Sequence, residues 1–112
     1  MKNVSAQGVL VPYYELKNGD FIDKGKMFFD PQFLEGMPEA EHLMLVQHDG
    51  QKLFVDTNNT KVISGKYLVS FDGLNTVNNL QRIPGGKVFM DLSGEKIEIQ
   101  ENKLIVIGMV VG

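Results

Sequence analysis

From Leu43 to the end of the chain, apolar residues fall into short runs: LMLV, KLFV, KYLVSF, TVNNLQRI, KVFMDL, KIEIQ and KLIVIGMVV. Runs of this length, separated by turn residues, predict β-strands. The separators are turn-formers, at Asp49-Gly50, Ser64-Gly65, Asp72-Gly73, Pro84-Gly85-Gly86 and Ser93-Gly94. Each supplies a glycine able to take positive φ at little steric cost.

Asp30-Pro31-Gln32-Phe33-Leu34-Glu35-Gly36 has an N-capping residue, a proline at the first helical position and a terminating glycine. It predicts one short helix over 30–36. Residues 1–26 show a single apolar cluster, GVLVPYY, then a polar stretch broken by Asn18-Gly19 and Gly25. This reads as a lead-in strand followed by a loop. The last run, Leu104 to Val111, is apolar on both alternating faces apart from Gly108, so both faces are expected to meet nonpolar neighbours. No internal repeat interrupts the pattern, and the fold class expected is mostly β, with short antiparallel strands, hairpins and one short helix.

Composition narrows the function. At 112 residues the chain is expected to be one domain, large enough to bury a single core but hardly two. No run approaches the length of a membrane span and no secretory core opens the chain, so a cytoplasmic protein without a membrane partner is expected. The absence of cysteine removes disulfides, thiolate catalysis and Cys-based zinc sites. A formal net charge of −3 is the wrong sign for a phosphate-backbone binder.

The candidate chemistry reads mostly as structure. His48-Asp49 sits on a turn with no serine or cysteine nearby in sequence to activate. His42 and His48, with Glu39, Glu41 and Asp49, lack a zinc-ligand spacing. Gly85-Gly86-Lys87 has the residue types of a phosphate cradle, yet it lacks the P-loop spacing and precedes a strand-like run. Asp91, Glu95, Glu98 and Glu101 read as a solvated face. Phe28, Phe29, Phe33, Phe54, Phe71, Phe89 and Tyr67 read as core aromatics. No cofactor and no metal are expected.

Three segments carry a family resemblance: MFFDPQFLEG; DGQKLFVDTNNTKVISGKYLVSFDG; and VNNLQRIPGGKVFMDL with the distal IVIGMVVG. Together, from about Val9 onward, they resemble the C-terminal domain shared by LexA and phage CI repressors, the self-cleaving serine peptidases. The resemblance implies a serine in a loop before the Asp-Gly turn and a lysine acting as general base. Here LMLV runs through Gln47-His48 into Asp49-Gly50, so that loop is deleted. Aligning Gly36-Met37-Pro38 with it still gives no serine. Asn78 occupies the lysine position, and an amide cannot take a proton from a hydroxyl at neutral pH. Ser5, Ser64, Ser70 and Ser93 lie outside the motif. The family's Ala-Gly or Cys-Gly scissile pair is missing, with only Ala6-Gln7-Gly8 where a linker would lie.

The deleted loop, FDPQFL and the terminal GMVVG resemble most the non-cleaving branch of coliphage 186 type. That resemblance implies a repressor that maintains lysogeny, whose C-terminal domain makes dimers and higher oligomers and reaches operator DNA only through an N-terminal helix-turn-helix domain. An antirepressor protein would supply induction. The expected boundaries are a linker or non-native remnant at 1–8 and an oligomerisation domain at 9–112, with the DNA-binding domain absent from this chain. The expected interface is one alternating face of the last strand, Ile105, Ile107, Met109 and Val111. Two other readings remain open: a self-cleaving peptidase using Ser64 or Ser70 with Lys66 as base, and a stand-alone β module that binds another protein.

Overall fold

The computed structural model describes residues 8–92 and 94–112. The expected linker lies outside the described residues except for Gly8, and so do Ser5 and Ser93. Nine strands are seen among the described residues: β1 Val9–Lys17, β2 Asp20–Phe29, β3 Leu43–His48, β4 Gln51–Asp56, β5 Ser64–Phe71, β6 Leu74–Ile83, β7 Lys87–Leu92, β8 Glu95–Gln100 and β9 Leu104–Val110. The mostly-β expectation holds, with strands covering 65% of the structure. All seven runs from Leu43 onward are strands. No helix among the described residues is long and apolar enough to cross a membrane.

Three hairpins turn through dipeptides with both residues at positive φ: Asn18-Gly19 (55°, 83°), Asp49-Gly50 (51°, 77°) and Asp72-Gly73 (55°, 84°). These are two-residue type I′ turns, whose twist matches that of the strands they join. The expected helix is one 3-10 turn, Pro31–Leu34, with the Asp30 carboxylate accepting from the Gln32 amide at 2.9 Å. Two more 3-10 turns, Ala40–His42 and Glu101–Lys103, precede β3 and β9.

Three details differ from the sequence reading. The polar stretch after Lys17 is a strand, β2, not a loop. As the outermost strand it needs few apolar residues, and Gly25 (φ 93°) forms a bulge between the Pro12↔Lys26 and Tyr14↔Asp23 pairs. Ser64-Gly65 begins β5 instead of forming a turn. Phe28 and Phe33 are 61% and 63% exposed and lie outside the core. Phe28 pairs with exposed Leu10 on the outward side of β1–β2, and Phe33 stacks on Phe29 at the rim, 5.4 Å between centroids.

The strands form one sheet in the order β2-β1-β3-β4-β9-β5-β6-β7-β8, antiparallel except for β1 beside β3. Strand alternation sends side chains to two faces. One face carries two cores. Val11, Leu43, Leu45 and Phe54 pack under the Pro31–Leu34 turn, and Tyr67, Val69, Leu80, Val88, Met90 and Ile99 pack beneath Val62 at the other end. The opposite face carries a central core of Leu16, Val46, Val55 and Leu68. There the sheet curls until the β1–β2 turn meets β6: the Asn75 amide donates to the Gly19 carbonyl at 2.9 Å. The two half-sheets join at β4 and β9 through only two register pairs, Val55↔Val110 and Asp56↔Met109. Two hydrogen bonds extend this joint: Val111 N to Phe54 O (2.9 Å) and Phe54 N to Gly112 O (2.8 Å).

Candidate functional site

Curling brings the tip of the β3–β4 hairpin over the β5–β6 face and leaves a cleft of about 260 Å³ between them. His48, Asp49 and Gln51 line one side, and Lys66, Asn78 and Asp91 line the other. The two positions that the resemblance links to catalysis, the shortened loop and the base, therefore border one cleft despite lying thirty residues apart in sequence.

His48 pairs with Gln51 in register, so Asp49 and Gly50 alone connect β3 to β4. Asp49 is 88% exposed, with Oδ2 3.5 Å from His48 Nε2, a contact that becomes an ion pair only when the imidazole is protonated. His48 itself is half-buried. The cleft wall from β5 and β6, distant in sequence, covers it.

Asn78 is committed to structure. Its amide nitrogen faces the Asp91 carbonyl at 2.9 Å and the Val77 carbonyl at 3.1 Å, while its amide oxygen accepts from the Thr76 hydroxyl at 3.2 Å. In register it stands opposite buried Tyr67, whereas Asn79 stands opposite Lys66. Lys66 is exposed, with Ser64 two residues earlier on the same side of β5. Ser70 lies at the far end of that strand, opposite Asn75. Among the described residues, no hydrogen bond joins either serine to Lys66.

The other candidates separate. His42 precedes β3 and His48 ends it, and among the described residues no three His, Asp or Glu side chains converge on a metal position. Gly85-Gly86 forms the β6–β7 turn, and Lys87 pairs with Glu98 at 3.0 Å. Glu101, read from sequence as solvated, takes a fork-to-fork grip from Arg82, with Nη1 to Oε1 at 2.8 Å and Nη2 on Oε2. Hydrogen bonding to Arg82 holds the Glu101 carboxyl below its ordinary value, and the same bond raises Arg82. Arg82 Nε also donates to the Val62 carbonyl at 2.7 Å, and the Tyr67 hydroxyl accepts from the Ile63 amide at 3.1 Å. Together they pin the loop before β5. Sequence reasoning missed this clasp because its partners are about twenty residues apart in a β domain.

The four residues expected to share one face of the last strand do not. Leu68 pairs with Gly108 but Val69 pairs with Val106, leaving Ile107 as an extra, bulged residue. A one-residue insertion reverses the alternation beyond it. Ile105 is 67% exposed. Ile107 packs on the central core, Met109 on the β5–β8 core and Val111 on the β1–β4 core.

The bacteriophage CI repressor C-terminal domain family matches residues 10–112. The chain belongs to that family. The CI domain is also 22% identical over 96 residues to ribosome maturation factor RimM of Staphylococcus aureus strains JH9, Newman and N315, covering 86% of this chain and 54% of theirs. The chain spans about half the length of these curated relatives.

Proposed function

We propose that this CI repressor C-terminal domain assembles its repressor into dimers and higher oligomers and does not cleave itself. The observation that carries the second half is the His48↔Gln51 pairing, which leaves a two-residue turn where self-cleaving relatives carry their nucleophile loop. Asn78, at the base position, supports it: its amide is held by Thr76 and the Asp91 carbonyl and cannot act as a base. These features favour the non-cleaving branch of coliphage 186 type. In the whole repressor, residues 9–112 would form the assembly unit, joined through 1–8 to a helix-turn-helix domain that reads operator DNA. Induction would then come from an antirepressor instead of from proteolysis.

Assembly has a direct consequence for repression. Linking two DNA-binding units makes the second contact intramolecular and can raise avidity roughly 10²- to 10⁴-fold with no new base contact. The test is the mass of the chain by sedimentation equilibrium across a wide concentration range, with electrophoresis after incubation at raised pH. A species that dissociates on dilution, with the chain intact, is expected. A monomer at every concentration overturns assembly, and fragments that disappear in Ser64→Ala overturn the loss of cleavage.

A further inference from the structure

The two outer edges of the sheet are built differently. β2 carries the Gly25 bulge, a device that keeps an edge from pairing. β8 has no proline, glycine or bulge, and its six residues pair one to one with β7 from Leu92↔Glu95 to Lys87↔Gln100. One step beyond that ladder, the Glu101 amide donates to the Gly86 carbonyl at 2.9 Å. Because bonded and non-bonded pairs alternate along an antiparallel ladder, Glu95, Ile97 and Ile99 bond to β7. The backbone groups of Lys96, Glu98 and Gln100 point outward instead, unpaired by any described strand.

We infer that β8 pairs antiparallel with β8 of a second copy of this chain about a two-fold axis at Ile97, with Lys96 opposite the partner's Glu98 and Glu98 opposite the partner's Lys96. The inference rests on the assembly reading and gives it an interface. Outward-bonding residues must face one another, so the axis falls on a residue and not between two. Centred on Lys96 or on Glu98, the pairing sets like charges directly opposite, which is destabilising. Centred on Ile99, it carries Lys96 beyond the end of the strand. Only the Ile97 register opposes unlike charges twice. It also sets Ile97 against its own copy, next to the core that Ile97 and Ile99 already join. Glu98 also pairs with Lys87 of β7, 3.0 Å away, so in the dimer its carboxylate lies between that lysine and the partner's Lys96.

The test uses sedimentation equilibrium on the full chain, its Lys96→Glu variant and the double variant K96E/E98K. Lys96 is exposed, so the fold is expected to persist, with circular dichroism as the check. Reversing both symmetric pairs should weaken the dimer by about tenfold, and the double variant, which restores unlike charges, should return to within about threefold of wild type. In concentrated wild-type protein the Lys96 and Glu98 amides should exchange slowly, and in K96E quickly. Undiminished association of K96E, with those amides exchanging freely, overturns the β8 interface and leaves assembly through another surface. A wild-type chain that never associates overturns both.

Discussion

Gly108 stands where β9 runs against β4, and replacing it by alanine tests whether the two half-sheets are as tightly joined as the structure has them. Its φ is not positive, so the requirement is space and not conformation. A Cβ there would sit 2.5 Å from the Asp56 carbonyl oxygen and 2.7 Å from a Val55 methyl, where an ordinary contact begins at 3.4 Å. The strands would have to part by nearly 1 Å. That strains the bonds between Phe54 and residues 111 and 112, each worth about 1 kcal/mol net. Overpacking adds about 1–3 kcal/mol, and the stiffer unfolded chain returns about 0.4–1. The expected loss is about 2–4 kcal/mol, out of the roughly 5–15 available to a domain of this size. With an unfolding entropy of about 2.1 cal/mol/K per residue over 112 residues, each kcal/mol lowers Tm by about 4 °C. Gly108→Ala should therefore melt about 8–16 °C below wild type, with the urea midpoint lowered and its slope unchanged. A Tm within about 2 °C of wild type would refute the close approach of β9 to β4.

Glu101→Gln should be less stable than wild type at neutral pH. Because Arg82 lowers the folded-state value of Glu101, this contribution is present above its ordinary value, about pH 4.5, and is lost as pH falls below it. The gap between the two proteins should therefore close on acidification, and a gap that is the same at pH 3 and pH 7 would discount the clasp. Tyr67→Phe removes the acceptor of the Ile63 amide. It should lose about 1 kcal/mol and speed exchange of that amide while leaving subunit association unchanged.

Much of the strand pattern was legible because turn chemistry and apolar runs act locally. Asp49-Gly50 and Asp72-Gly73 announce their hairpins in two letters. Asn18-Gly19 did so too, but an edge strand has little to bury, and the polar residues from Asp20 to Lys26 masked it. What escaped the sequence depends on distant neighbours. The bulge at Ile107 is set by the partner strand β5, and it scattered a face that simple alternation had drawn together. The half-burial of His48 comes from the curl of the sheet, which also gathers Asn78 and Asp91 around it. The exposure of Phe28 and Phe33 follows from their place at the rim, where an aromatic run looks no different from a core one.

The last strand in sequence lies in the middle of the sheet, between β4 and β5. Residues before it can build two sets of local hairpins as the chain emerges from the ribosome, but the sets are held together mainly by residues 109–112 against 54–56. Closing that joint needs contacts between residues more than fifty positions apart, the kind that slow folding. Residues up to 112 must therefore have been synthesised before the domain becomes a single cooperative unit. A chain that stopped before residue 109 would leave two sticky half-sheets, and the outcome would be aggregation or proteolysis in place of a weakened domain.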